Sequence, residues 1–283
     1  MKKEILLPAA AVAGGAAGFV LRTWELSTAF EPDTGLPISG VPATYLLAAL
    51  TAAMVLVLAV LCRDSYERIS REDDSAFAAP GLPVYPAAAG LSALLLLAGG
   101  LALGWDFLHG ASAVFTHPIL AVLAVVSGVC LLLLAKSRFH GVPRPRYDFL
   151  QLMPAYTCCV WLVSSYQMRA GDPVQLDYIY QLAAIIASLL GLYYCAGFSF
   201  GKGKPFQACL FSLLGVYGSI VTLADGHDLA NTLLYLSAIL YLLVSAAVLL
   251  RSAAQPSGSD ASPARKINPA ENLQKTEGIP DEP

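Results

Sequence analysis

The side chains able to do chemistry in this chain gather in short segments between long apolar runs. Asp225-Gly226-His227-Asp228 is the densest group, and Glu25, Glu31, Asp33, Asp106, His109, His117, Asp172 and Asp177 fall in comparable places. Asp, Glu and His are the ligand types for zinc or manganese. Here they come from four separate segments with no metal-ligand spacing, so they read as a solvated acidic face, with a cation-attracting vestibule as the alternative. No metal or cofactor is expected. Arg22 precedes Glu25 by three residues, close enough on a helix to pair with it. That pair is expected at the outer edge of the first apolar run, with Trp24 in the headgroup belt.

Other chemical signals are weak. Gly201-Lys202-Gly203-Lys204 looks like a phosphate loop, but it lacks the G-x-x-x-x-G-K-[ST] spacing and has Pro205 where Ser or Thr would bind magnesium. It reads as a tight turn. The six cysteines, Cys62, Cys130, Cys158, Cys159, Cys195 and Cys209, lie in apolar runs or at their edges, without zinc spacing, and read as small buried hydrophobes. No H-E-x-x-H or G-x-G-x-x-G occurs, no acid–base pair is visible, and no catalytic residue is assigned. No Asp, Glu, Lys, Arg or His stands in the middle of an apolar run, which disfavours a carboxylate proton relay through the membrane.

Uncharged polar and small residues are denser in the second half and recur at helical spacing. Gln181, Ala184, Ser188, Gly191 and Cys195 share one face, as do Ala208, Ser212, Gly215, Ser219 and Thr222. Gln151, Cys158 and Ser165 stand seven apart, with Pro154 as an expected kink, and Asn231, Tyr235, Ala238 and Ser245 mark the last run. Two readings stay open. Small faces let helix backbones approach closely. Alternatively Gln151, Cys158, Gln181, Ser188, Ser212, Ser219, Asn231 and Tyr235 line a polar cavity that admits a small solute. Ala10, Gly14 and Gly18 form a further small-residue row, a packing face.

These residues must be held by helices in lipid. The chain has 283 residues, 57% hydrophobic and 13% charged, with a mean hydropathy of +0.63. An ordinary soluble domain carries about 25% charged residues. A net charge of −3 gives no reason to expect nucleic acid. Apolar runs cover residues 5–22, 41–62, 84–104, 117–135, 149–167, 178–200, 206–224 and 229–250. Each approaches the ~20 residues that cross a bilayer as a helix, and an open sheet would leave backbone groups unpaired there. The expectation is an all-α polytopic transmembrane bundle of eight spans over residues 1–250. The first run reads as a spanning helix rather than a cleaved leader, because it reaches Arg22 at nearly full spanning length.

The basic segment Lys136-Ser-Arg-Phe-His-Gly-Val-Pro-Arg-Pro-Arg146 sets the orientation. With it in the cytoplasm, so are Lys2, Lys3, Arg63, Arg68, Arg71, Lys202, Lys204, Arg251, Arg265, Lys266 and Lys275, leaving only Arg22 and Arg169 outside. Each alternate loop then obeys the positive-inside rule, with both termini cytoplasmic. Arg63 to Asp74 reads as a charged helical continuation of the second run. Residues 251–283, rich in Ser, Pro, Gly, Glu and Lys, read as a disordered tail. Four runs on each side of the basic segment would allow a duplication, but the halves show no residue-level match.

Two stretches, A-G-G-A-A-G-F-V-L-R-T-W-E-L-S-T-A-F-E-P-D-T-G-L-P (13–37) and L-Y-Y-C-A-G-F-S-F-G-K-G-K-P (192–205), resemble uncharacterised multi-pass membrane proteins of Gram-positive bacteria. The resemblance implies a plasma membrane location and brings no activity. Two function classes follow. One is a permease-like or channel-like bundle for a small uncharged or weakly cationic solute. The other is an accessory or sensory membrane protein acting through a protein partner or as a homo-oligomer. A membrane enzyme ranks third.

Overall fold

A computed structural model describes residues 2–31, 33–34, 36–66, 84–110, 116–139, 145–169, 171 and 174–254. Among these the chain is all-helical, with eight α-helices: α1 Lys2–Thr28, α2 Pro42–Tyr66, α3 Val84–Leu108, α4 Thr116–Phe139, α5 Met153–Arg169, α6 Gln175–Gly197, α7 Pro205–Thr222 and α8 Leu229–Ala254. Seven of them are long and apolar enough to cross a membrane. The exception is α5. With 17 residues it spans ~25 Å at 1.5 Å per residue, short of a ~30 Å hydrocarbon core. A 3₁₀ helix over Pro145–Leu152 precedes it and extends its reach.

Pro154 explains that division. It has no N–H to donate and its fixed φ suits the first turn of a helix. The α-form therefore starts at Met153, so Pro154 marks a helix start and not the kink expected within a run over 149–167. Other boundaries also move. α1 continues past Arg22 to Thr28, which places Arg22 and Glu25 inside the helix. α6 stops at Gly197 rather than Phe200, because Gly201 takes a left-handed φ of +64° and the Lys202 amide returns to the Gly197 carbonyl at 3.0 Å. Gly201 to Lys204 is thus a turn between α6 and α7. α8 runs to Ala254, so the first four residues expected in the tail are helical. Residues 255–283, the stretch from Glu67 to Asp74 and the centre of the basic segment, His140 to Arg144, lie outside the described residues. After α1 an isolated bridge pairs Phe30 with Pro37.

Six helices close a ring in which each packs on the next, α3 on α4, α4 on α5, and so on through α8, which returns to α3. The α1–α2 hairpin lies outside it and leans on α7. Burial agrees with this layout: 61% of the apolar stretch of α8 is buried but only 22% of that of α2. The hairpin is held by close contact. A Cβ on Gly14 would sit 2.5 Å from the Met54 Cε of α2, and one on Gly18 would sit 2.6 Å from Val221 of α7. Thr51 of α2 also hydrogen-bonds the Tyr217 hydroxyl of α7 at 2.8 Å.

Within the ring the small-residue faces of α6 and α7 form one seam. A Cβ on Gly191 would meet the Ser212 N at 3.0 Å and Cα at 3.1 Å, and one on Gly215 would meet the Ser188 Cα at 3.1 Å. Gly218 lies as close to Ala184. The backbones can approach this far only where side chains are missing.

Candidate functional site

Two places stand out, a charged cluster and a largely apolar cavity, joined by an aromatic column. The first is at the end of the bundle where α1 and α7 finish and α6 and α8 begin. Arg22, with no exposed surface, is at its centre. Its Nη1 donates to Glu25 Oε2 at 2.7 Å, and its Nε to Asp225 Oδ1 at 2.7 Å. Nη1 also reaches the Leu176 carbonyl at 3.3 Å, and Nη2 the Asp177 carbonyl. The guanidinium carbon lies 5.2 Å from the Tyr180 ring centroid. Arg22 thus ties α1 to the start of α6 and to the 3₁₀ turn Leu223–Asp225 that closes α7. A planar fork of five donors suits this work better than a lysine ammonium.

Asp225 reaches Arg22 because the chain turns at once after it. Gly226 has φ +68°, a left-handed conformation open to glycine at little cost, and this swings His227 back over α8. The His227 ring stacks on Tyr235 with centroids 4.9 Å apart, and Tyr235 packs on Trp161 at 4.6 Å. Trp161 Nε1 donates to Asn231 Oδ1 at 2.9 Å, and Asn231 Nδ2 donates to Asp228 Oδ1 at 2.6 Å. Beside these, Arg169 pairs with Asp177 at 2.7 Å, partly exposed. Four buried polar atoms here have no hydrogen-bond partner: Glu25 Oε1, Asp225 Oδ2, His227 Nε2 and the Tyr235 hydroxyl. Thr222 and Gln181 lie near that hydroxyl without reaching bonding geometry.

The second place lies on the far side of Trp161, within the ring. A cavity of about 30 Å³ is bordered by Ser92 and Leu96 of α3, Leu131 of α4, Thr157, Cys158 and Trp161 of α5, Leu192 of α6, and Leu234, Ser237, Ala238 and Tyr241 of α8. At ~10–15 Å³ for each water, this volume holds about two. Its polar wall atoms are mostly engaged with one another. Ser92 and Ser237 hydroxyls each donate to the other's carbonyl, at 3.1 and 2.9 Å. Thr157 meets Ser127 at 2.6 Å.

The eight residues expected to line one polar cavity are therefore spread over the molecule. Cys158 borders the ring cavity. Gln181, Asn231 and Tyr235 belong with the charged end. Ser188, Ser212 and Ser219 are buried in the α6–α7 seam, where Ser188 and Ser219 hydroxyls are 3.4 Å apart. Gln151 is at the opposite end, donating to the Cys195 carbonyl at 3.2 Å and accepting from the Ser199 hydroxyl at 2.7 Å. Shared helical spacing did not bring all eight side chains to one cavity, because α6 and α7 close their small faces on each other. Arg22 and Glu25 do meet, as expected from their spacing, and both are buried among helices, while Trp24 stays 43% exposed. Asp225 and Trp161 are the residues that sequence reasoning left out of the site. Among the described residues, no three His, Cys, Asp or Glu side chains converge to hold a metal ion.

His227 gives the charged end a pH dependence of definite sign. Burial holds its imidazole below the usual value of 6.5; Asp228 opposes the shift and Arg169 adds to it. Because the folded value lies below the unfolded one, the unfolded chain takes up the proton first as pH falls. The stability associated with neutral His227 is then complete above pH ~6.5 and is lost progressively below it. In thermal unfolding followed from neutral pH to about pH 5, wild type minus His227→Gln is expected to fall with pH. Parallel curves for the two proteins would remove His227 as the cause.

No protein-family model, no curated protein and no solved structure matches this chain.

Proposed function

We propose that the chain is a plasma-membrane protein crossing the bilayer eight times with both termini in the cytoplasm, and that it works as a permease-like bundle for a small uncharged or weakly cationic solute. The observation that carries this reading is the cavity bordered by five of the six ring helices, set beside Trp161. Helices that merely pack need not leave a space on their common axis. In this reading Trp161 and Tyr235 are the barrier between the charged outer end and the ring cavity. The present volume corresponds to an occluded form. The short α5, with its 3₁₀ entry and Pro154, supplies the wall able to change, since discontinuous helices commonly border transport sites. The basic residues on alternate connections support the orientation, and the resemblance of 13–37 and 192–205 to multi-pass proteins supports a bacterial plasma membrane.

Proteoliposomes containing the full chain are expected to take up at least one small neutral or weakly cationic solute faster than protein-free vesicles. Ala238→Leu, which fills the cavity, is expected to return that flux to the protein-free level while leaving the protein folded. Equal fluxes with and without protein over a broad solute panel would end the permease reading. An accessory role draws on a different observation, the peripheral and mostly uncovered α2. It would show as a stoichiometric membrane partner co-purifying through α2.

A further inference from the structure

We propose that Asp225 is a reversible proton-binding site, carrying a proton on Oδ2 beside the Arg22–Glu25 pair and exchanging it with water at the outer end. This stands apart from the permease reading and needs no solute path. The first observation is a charge count. Arg22 supplies one positive charge to two carboxyl groups, those of Glu25 and Asp225, and its side chain and that of Glu25 have no exposed surface, while that of Asp225 is 5% exposed. Among the described residues, the other groups around Asp225 do not balance the difference. From α5 and α6, Arg169 and Asp177 neutralise each other. Tyr180 of α6 and Tyr235 of α8 are neutral phenols. His227, held below its usual value by burial, is uncharged at neutral pH. Asp228 adds a further negative charge, but it is exposed and bound to Asn231. One buried negative charge is left over, and an uncompensated buried charge is removed most cheaply by taking up a proton.

The second observation is independent of charge. Asp225 Oδ1 accepts from Arg22, while Asp225 Oδ2 is buried and accepts from nothing. The Tyr235 hydroxyl, fully buried at the same end of the bundle, is likewise without a hydrogen-bond partner. An ionised carboxylate has about four lone-pair sites to satisfy, whereas a neutral carboxyl turns one oxygen into an O–H donor. A proton needs no coordination shell, which fits a place where no three metal-ligating side chains converge among the described residues. Asp225 is the member next to the exposed turn Gly226 to Asp228, so it is the one that can exchange.

The test uses the full chain in lipid nanodiscs and infrared difference spectra between alkaline and acidic buffer. Wild type is expected to gain the C=O stretch of a neutral carboxyl, downshifted in heavy water, with a midpoint closer to neutrality than an exposed aspartate. Asp225→Asn should lose this band and Asp228→Asn should keep it. Carboxyl-labelled aspartate in the wild-type protein should shift it, which identifies the residue type even where the variant folds poorly. Absence of the band, its failure to shift with labelled aspartate, or its persistence in a folded Asp225→Asn protein would overturn the proposal. So would displacement of the midpoint by sodium or potassium at constant ionic strength, which would mark a metal-cation site.

Discussion

Arg22→Met is expected to destabilise the protein by ~3–5 kcal/mol, the cost of removing one partner from a buried ionic group. The change does not simply delete two ion pairs. It leaves Glu25 buried with no counter-charge, takes the cation from Asp225, and strips the Leu176 and Asp177 carbonyls of a donor. Those carbonyls open α6, so the loss spreads from α1 to the α6 start and the turn after α7. Arg22→Lys should fall between, because an ammonium restores charge but not a planar fork aimed at four acceptors. The informative comparison is Arg22→Met combined with Glu25→Gln and Asp225→Asn. With all three charges gone, more than half of the lost stability should return, as expected where the penalty lies in the orphaned carboxylates. Thermal unfolding in detergent and the yield of monodisperse protein measure both. An Arg22→Met protein that melts with wild type would show the cluster to be solvated, and the site described above would no longer exist.

The same residue shows what could be read from the sequence and what could not. Helix number and approximate ends follow from apolar runs bounded by Pro, Gly and charge, since lipid allows few alternatives to a helix. Arg22 stood out because it was one of two basic residues on the wrong side of an otherwise regular pattern, and Glu25 lay within one turn. Its larger partner set was hidden. Asp225 is 203 positions away, and nothing in a single sequence ties two such charges together. The backbone carbonyls are worse placed still, since every residue has one. The burial of the pair was not legible either, because α1 does not end at Arg22. It continues to Thr28, carrying the guanidinium below the rim formed by α6 and the turn after α7.

The aromatic column illustrates a second limit. Trp161 sits in an apolar run, where a tryptophan is ordinarily core. Only packing shows that its ring borders the cavity on one side and Tyr235 on the other, with the indole N–H held by Asn231. The ring of α3 to α8 was equally out of reach. Periodicity identifies a face on each helix but does not say which neighbour that face meets. Eight polar residues at helical spacing could therefore be grouped into one cavity in the sequence and yet lie in four places in the fold.

The small faces of α6 and α7 were legible as faces, and they make the second large prediction. Gly191→Ala is expected to cost ~1–3 kcal/mol, the range for overpacking, and Gly191→Leu at least the upper end of it. The reason is what the new Cβ would meet. At Gly191 its nearest backbone neighbours are the Ser212 N and Cα, at 3.0 and 3.1 Å, and backbone cannot rotate away as a side-chain tip can. At Gly14, by contrast, the obstacle is the flexible end of Met54, so Gly14→Ala should be milder although its approach of 2.5 Å is closer. A third substitution sharpens the contrast. A Cβ at Gly90 meets nothing within 4 Å, and Gly90→Ala within α3 should be neutral or slightly stabilising. The expected order of melting temperature is therefore Gly90→Ala at or above wild type, then Gly14→Ala, Gly191→Ala and Gly191→Leu. If Gly191→Leu melted with Gly90→Ala, α6 and α7 would not be in backbone contact. Their serines would then be free to face a solute, and the polar faces would regain the transport role that packing now takes from them.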